Sequence, residues 1–252
     1  MKMLNYLSGM MVAALALLAV SLPVFAADTD SRIESSARQS YVFKTYLQGD
    51  DIKIQSKDGA VTLTGMVNED SHKALAQDTV NGLPGVKSVD NRLEVKGTPP
   101  TANSDAWLVT KVKTTLLFHR SVSTAKTEVD VKDGIVTLRG TADNQAQKDL
   151  TTEYAMDVDG VKEVKNEMSV KKSPKNKRTA GEKIDDASVT AQVKMTLLYH
   201  RSTSAINTKV ETKRGVVTLT GKANSVAEFN LATKLVNDVR GVKSVKNLMS
   251  VE

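Results

Sequence analysis

The residue types best suited to chemistry occur twice in this chain, at equivalent places. His119 and Arg120 follow Leu-Leu-Phe, and His200 and Arg201 follow Leu-Leu-Tyr. A histidine beside an arginine can form a cationic pair that grips a phosphate or a carboxylate. The alternative is structural, because cationic side chains at the last turn of a helix complement its dipole and its free carbonyl groups. We favour the structural role and keep the anion site as the alternative.

Groups typical of catalysis do not recur with the repeats. The third histidine, His72, stands alone on the polar face of a predicted helix, and no nucleophile, base and orienting acid share a fixed spacing. The His, Asp and Glu residues also lack the spacing of a metal site, and the chain has no cysteine. We therefore expect no enzymatic activity, no metal and no cofactor.

Three glycine-containing segments invite comparison with phosphate-binding loops. They span residues 58–65, 133–140 and 214–221, and each is rich in β-forming residues rather than leading into a helix through Gly-Lys-Ser/Thr. We expect structural roles and no nucleotide site. The glycines fall into three sets: hairpin turns (Gly59, Gly134, Gly215), strand ends (Gly65, Gly140, Gly221) and stops of a second helix (Gly85, Gly160, Gly241).

The same segments define a threefold repeat. A Gly-Val-Lys sequence follows each hairpin glycine at an offset of 26 residues, as from Gly134 to Gly160, without one insertion. Apolar residues four apart, such as Leu108 and Val112, predict a first helix, and two β-rich runs, a second helix and a last strand follow. The fold class is therefore α+β: three tandem α-β-β-α-β modules, each a small mixed three-stranded sheet with two helices on one face. The second helix is the crossover between two parallel strands.

Breaker-rich segments separate the modules. We place module 1 at residues 30–96, module 2 at 105–170 and module 3 at 185–252, with linkers at 97–104 and 171–184. Modules 2 and 3 are the more similar pair. Module 1 is expected to have a shorter stretch between its first helix and its first strand.

The N-terminus, residues 1–26, reads as a secretory signal peptide. Lys2 precedes an apolar run from Met10 to Val20, and small residues favour cleavage after Ala26. A membrane anchor is the alternative, but the run is shorter than the roughly 20 residues that cross a bilayer. With no cysteine available for disulfides or lipid attachment, we expect a periplasmic protein without a transmembrane segment after cleavage.

Positive charge is concentrated in one linker of this chain, whose net charge is +6. The basic residues are Lys171, Lys172, Lys175, Lys177, Arg178 and Lys183. A solvated spacer is one interpretation. The other is attraction to anionic lipid head groups, helped by Trp107, Lys111 and Lys113 on the first helix of module 2. Export and the aromatic content of 4% argue against nucleic acid.

The Asp-Gly-x-Val-x-Leu-x-Gly hairpin, the Gly-Val-x-x-Val-x-Asn ending and the order of elements resemble the BON domain. That domain occurs in osmotically inducible periplasmic proteins and in bacterial envelope lipoproteins. The resemblance implies a periplasmic location, a link to envelope or osmotic stress and, in some lipoprotein members, contact with anionic phospholipids. We expect a non-enzymatic binding protein whose partners are envelope proteins or anionic phospholipid head groups. The alternative is a peripheral binder of anionic phospholipid surfaces that supports outer-membrane integrity.

Overall fold

The computed structural model describes residues 23–97, 100–102, 104–171, 183–203 and 207–252. Residues 1–22 of the predicted signal peptide therefore lie outside the described residues, as do Lys172, Lys175, Lys177 and Arg178 of the basic linker. The helices are α1 (Pro23–Gln39), α2 (Tyr41–Thr45), α3 (Asp70–Asn81), α4 (Asp105–Phe118), α5 (Gln145–Met156), α6 (Asp186–Tyr199) and α7 (Val226–Asn237). Within the described chain, no helix combines the length and the apolar character that a membrane crossing requires.

The strands repeat with the modules. They are β1 (Asp51–Lys57), β2 (Ala60–Val67) and β3 (Ser88–Val95) in module 1; β4 (Thr127–Lys132), β5 (Ile135–Ala142), β6 (Glu163–Asn166) and β7 (Ser169–Val170) in module 2; and β8 (Thr208–Lys213), β9 (Val216–Ala223), β10 (Ser244–Asn247) and β11 (Ser250–Val251) in module 3. The second strand is central in each sheet. It pairs antiparallel with the first strand and parallel with the last, as predicted for a helical crossover.

Each module buries one face of its sheet under its two helices. In module 2, Leu108 and Val112 from α4 pack with Ala155 from α5 over Val136 and Leu138 of the central strand. Modules 1 and 3 repeat this aliphatic core. The α+β class and the three repeated modules are therefore confirmed.

Each hairpin is a tight turn held by the first helix. Asp133 and Gly134 have φ angles of 55° and 81°, the two positive values of a type I′ turn. The Asp105 carboxylate, in the first turn of α4, accepts hydrogen bonds from both of their amides, at 2.8 and 2.9 Å. Asp30 and Asp186 hold the other two turns in the same way.

Gly140 lies within β5, two residues before the strand ends, with a φ of 113°. A Cβ on this residue would overlap the backbone carbonyl of Lys126. The equivalent Gly65 and Gly221 share this geometry. Close approach of two backbones therefore requires glycine at this position.

Two expectations about element ends need correction. The second helices end four residues before Gly85, Gly160 and Gly241. The buried Leu83, Val158 and Val239 follow each helix end, and the glycines then occupy a turn with positive φ. The stretch in module 1 is also not shorter. Asp30 lies 29 residues before Gly59, the same separation as from Asp105 to Gly134, and the extra helix α2 fills the interval.

An asparagine fastens each last strand to the second helix. The Asn166 side-chain amide donates to the Lys148 carbonyl and to Thr152 Oγ1, and its Oδ1 accepts from the Met168 amide. Asn91 and Asn247 repeat the pattern with α3 and α7. In modules 2 and 3 the strand is interrupted just after this asparagine, which is why β6 and β7, or β10 and β11, are separate.

Candidate functional site: the contact between modules 2 and 3

The two His-Arg pairs lie at the ends of α4 and α6, where the chain leaves each helix. His119 and His200 are the C-cap residues, with extended backbone angles. Each pair reaches across to the other module. The main chain forms one antiparallel bridge between His119 and Val239 and a second between His200 and Val158.

Four backbone hydrogen bonds flank these bridges. The amides of Arg120 and Arg240 donate to the carbonyls of Asp238 and Phe118, both at 3.0 Å. On the other side, the amides of Arg201 and Asp159 donate to the carbonyls of Asp157 and Tyr199, at 2.9 and 3.1 Å. The arrangement is reciprocal, so modules 2 and 3 pair as two similar units related by a local twofold.

The arginines complete this exchange. The Arg120 guanidinium donates to the carbonyl of Asn237, the last residue of α7, and to that of Val242 in the segment that follows. The Arg201 guanidinium donates to the carbonyl of Met156, the last residue of α5, and to those of Val158 and Val161 in the segment that follows. Each arginine therefore neutralises the carboxyl end of the partner module's second helix, and not of its own first helix as the sequence suggested.

His119 lies at the centre of a buried polar cluster. Its ring is 1% exposed and stacks on Tyr154, with ring centroids 3.8 Å apart. His119 Nδ1 is 3.2 Å from Asp238 Oδ2, and the Tyr154 and Ser121 hydroxyls donate to the same carboxylate. Burial alone would raise the pKa of Asp238, but these three partners lower it below its ordinary value. Burial and the Asp238 carboxylate raise the pKa of Tyr154.

His200 occupies the matching place with fewer partners. Its Nε2 is 3.3 Å from Asp157 Oδ2, and its Nδ1 accepts a hydrogen bond from the Ser202 amide. Burial lowers the pKa of His200, while Asp157 opposes the shift. Leu235 stands where module 2 has Tyr154, so the stacked ring and its hydroxyl are missing on this side.

Asp157 and Asp238, the carboxylate partners of His200 and His119, were not among the residues predicted from the sequence. A signal was present, since His-Arg and Asp-Val occur together in modules 2 and 3. In module 1, Lys44 and Gly82 stand at the places of the histidine and the aspartate. Module 1 therefore lacks both the histidine and the aspartate. Joint presence in modules 2 and 3 and joint absence from module 1 are expected if the two residue types contact each other.

The three residues of α4 that were predicted to contact lipid differ in their exposure. Lys111 is 5% exposed, and its Nζ lies 3.9 Å from the Trp107 ring centroid and 5.2 Å from that of Tyr199 in module 3. Burial lowers the pKa of Lys111, an effect that Asp159 opposes. Trp107 is half-buried against the core of module 2, and Lys113 is exposed. Lys111 therefore belongs to the contact between modules.

Module 1 also packs against α6, the first helix of module 3. The amides of Tyr41 and Val42 donate to Asp185 Oδ2 and Ser188 Oγ, at 2.7 and 3.1 Å, and Lys194 pairs with Asp78 at 2.8 Å. Phe118 of module 2 and Met195 of α6 are buried within the core of module 1. Helix α6 is therefore in contact with all three modules, which is why most of its surface is buried.

His72 is not alone in the structure, since its Nδ1 lies 2.6 Å from Asp50 Oδ2. Across the described ranges, no group of three or more His, Asp or Glu side chains is arranged to hold a metal ion. Lys171 and Lys183, the described residues of the basic linker, are both exposed.

These repeats of a small mixed sheet under two helices match a known family. The chain belongs to the BON domain family, whose model matches residues 29–97, 104–172 and 185–252. It is 32% identical over 146 residues to osmotically-inducible protein Y of Escherichia coli, covering 56% of this chain and 73% of that protein. It is 34% identical over 113 residues to the outer membrane lipoprotein DolP of Haemophilus influenzae, covering 45% of this chain and 56% of that protein.

A solved structure of CdsD, a structural protein of the type III secretion system of Chlamydia trachomatis, aligns with 87% of this chain and 90% of its own length. The identity is 18% and the TM-score is 0.25.

Proposed function

We propose that this chain is a non-enzymatic binding protein of the bacterial periplasm that acts in the response to envelope or osmotic stress. The proposal depends on one observation: the recurring His-Arg pairs lie in the contact between modules 2 and 3. His119 and His200 are buried, and Arg120 and Arg201 bond to backbone carbonyls of the partner module. The groups best suited to chemistry therefore hold modules together, which leaves the assembled surface as the means of action.

The setting is supported by sequence and family. One relative is named for osmotic induction and another for the outer membrane. The basic, apolar and small-residue pattern of residues 1–26 is that of an export signal. A protein of this family with such a leader fits the periplasm.

A deletion strain tests this function. Loss of the gene is expected to slow growth after a shift to high sucrose and to increase sensitivity to detergent. The full chain should restore both, and a chain lacking residues 2–26 should not, because it stays in the cytoplasm. Release of the full chain by osmotic shock would report its location. Normal stress tolerance of the deletion strain, or equal rescue by the leaderless chain, would contradict the proposal.

A second candidate function is peripheral binding to anionic phospholipid surfaces. The favouring observation is the exposure of Lys171 and Lys183 at the two described ends of the basic linker, with Lys113 exposed on α4. Each basic residue near an anionic membrane contributes on the order of 1 kcal/mol, and salt screens the attraction. His119 and Lys111 are buried and are therefore not among the residues proposed to contact the membrane.

Co-sedimentation with vesicles tests the second candidate. Binding to vesicles containing phosphatidylglycerol should exceed binding to neutral vesicles and should fall with added salt. Replacing Lys171, Lys172, Lys175, Lys177 and Arg178 with Gln should remove most of it. A matched control replaces five exposed lysines of module 1 with Gln: Lys44, Lys53, Lys57, Lys87 and Lys96. Equal binding to anionic and neutral vesicles at low salt would leave the linker as a spacer.

A further inference from the structure

The first strand of each module lies at a sheet edge, because the central strand separates it from the last. Alternate residues of an edge strand direct both backbone groups outward, where another chain can pair with them. Proteins cover such edges or use them for binding. The edges of modules 1 and 3 differ in this respect.

In module 1 the edge of β1 is covered by side chains of α1. The Arg38 guanidinium donates to the Ile54 carbonyl at 3.2 Å, and Glu34 Oε1 accepts from the Ser56 amide at 2.9 Å. These contacts show that Ile54 and Ser56 are the residues whose backbone groups point outward. Their partners on β2 are Leu63 and Val61.

In module 3 the equivalent edge lacks these two hydrogen bonds, although Val210 is only 6% exposed because its side chain lies in the core. Val210 and Thr212 pair with Leu219 and Val217, so they occupy the register of Ile54 and Ser56. The covering residues are replaced by Thr190, whose hydroxyl bonds to the Thr212 hydroxyl, and Lys194, which pairs with Asp78 of module 1. Among the described residues, none hydrogen-bonds to the outward Val210 carbonyl or Thr212 amide from outside the sheet.

This edge borders a groove, which we call the β8 groove. One compartment, of about 560 Å³, is lined by Thr208, Lys209 and Val210, and an adjoining compartment of about 270 Å³ continues along the strand to Lys213. Consecutive residues of a strand point to opposite faces of the sheet. Residues of both faces can line one groove only when that groove runs along the edge of the sheet. Helix α3 forms the opposite wall with Asp78 and Asn81.

The floor and the charges define the kind of partner. Met195 and Leu198 of α6 contribute apolar surface, and this surface is continuous with the module 1–module 3 interface, since Met195 is buried in the core of module 1. The charged lining residues balance: Lys194, Lys209 and Lys213 against Asp78, Asp186 and Glu211. A highly charged partner would therefore gain little here, and an uncharged extended chain matches both the floor and the edge.

We propose that the β8 groove binds an extended peptide of a partner protein, with apolar side chains at alternate positions, which adds to the outer edge of β8. The peptide amide and carbonyl groups pair with the Val210 carbonyl and the Thr212 amide, and its apolar side chains lie on Leu198. This assigns a class of partner to the binding function proposed above and rests on it.

A fluorescein-labelled peptide, Lys-Val-Thr-Val-Thr-Val-Thr-Val-Lys, is the probe, added to the mature full chain. Fluorescence polarisation is expected to show saturable binding, and amide hydrogen exchange by NMR is expected to slow at Thr212 by about tenfold or more. The Val131 amide, on the equivalent edge in module 2, should keep its rate. Protection at Val131 instead, or no saturable binding, would overturn the proposal.

Two variants separate the edge from the floor. Thr212→Pro removes the outward amide while sparing the ladder to β9, a position at which an edge strand tolerates proline, and should weaken binding by about tenfold or more. Leu198→Ser, at a residue 50% exposed, should weaken it by about fivefold and does not depend on the backbone change. Leu248→Ser, at a leucine 64% exposed between β10 and β11 on the opposite edge of the sheet, is the matched control and should bind normally. Equal binding by all three variants would contradict the groove.

Two further outcomes bear on the occupant. Protection of Thr212 that rises with protein concentration in the absence of peptide would assign the edge to a second copy of this chain and overturn the proposal. A failure of peptide binding with the stress phenotype intact would remove the β8 groove and leave the proposed function standing. If the chain binds the peptide but deletion of its gene causes no envelope phenotype, the β8 groove would stand and the proposed function would be contradicted.

Discussion

His119 and Asp238 belong to different modules, and His119 Nδ1 lies 3.2 Å from Asp238 Oδ2. The Asp238 side chain is 16% exposed and accepts hydrogen bonds from Ser121 and Tyr154 of module 2 as well. Its counterpart Asp157 is 43% exposed and contacts His200, among the described residues, without hydroxyl donors equivalent to those of Ser121 and Tyr154. The two halves of the contact therefore share their backbone geometry but differ in the burial of the carboxylate and in the number of side chains that contact it.

The first prediction uses this asymmetry. Asp238→Asn should reduce the free energy of unfolding by about 2–3 kcal/mol, because buried donors lose a charged acceptor. Asp157→Asn, the matched control, should cost less than about 1 kcal/mol, as expected for an exposed ion pair. Urea unfolding of the mature chain measures both. Equal losses would contradict the proposed asymmetry between Asp238 and Asp157.

The second prediction concerns pH. Burial lowers the pKa of His200 below its ordinary value, so the unfolded chain binds the proton more readily. Stability contributed by neutral His200 is present above about pH 6.5 and is lost as the pH falls toward the folded pKa. Thermal unfolding between pH 7.5 and 5 should show this decline, with Asp157 opposing it and Arg201 and His119 adding to it. His200→Gln should reduce the slope, and an unchanged slope would exclude His200 as its source.

The third prediction concerns the hairpin lock. Asp105→Asn removes the charge that accepts from the amides of Gly134 and Asp133, the contacts that lower the Asp105 pKa below its ordinary value. A lowered carboxyl pKa gives stability that is present above about pH 3.9 and is lost as the pH falls through the folded pKa. The variant should melt at a lower temperature at pH 7 and lose that difference in acid. Asp130→Asn, on the exposed side of β4, should melt like the parent chain.

The fourth prediction separates backbone strain from steric overlap. Gly97 has a φ of 75°, and a methyl group added to it would meet no atom of the described residues within 4 Å, whereas a methyl group on Gly140 would meet the Lys126 carbonyl. Gly97→Ala should therefore cost about 1 kcal/mol from conformation alone. Gly140→Ala should cost on the order of 4 kcal/mol, because the strand pair must separate. Similar losses in urea unfolding would contradict the close approach of β4 and β5.

Local signals explain why much of the fold was predictable. The Asp-Gly turns, the alternation in residues 135–138 and the spacing of Leu108 and Val112 are consequences of short-range geometry. Contacts between modules are not short-range. Lys111 has the character of a surface residue in the sequence, yet Tyr199 of the next module covers it. The β8 groove likewise exists only because α3 docks beside β8, and no local pattern encodes that neighbour.

The amides of Arg120, Asp159, Arg201 and Arg240 test most directly whether modules 2 and 3 are held together by the His-Arg segments. All four donate hydrogen bonds across the two modules. Native-state hydrogen exchange of the unsubstituted chain, expressed from residue 27 onward, is the measurement. If the modules pair as described, these four amides should exchange slowly and with similar protection, because opening the contact frees them together. Exchange of all four at the rate of unprotected surface amides would show that the modules are independent and would contradict the account.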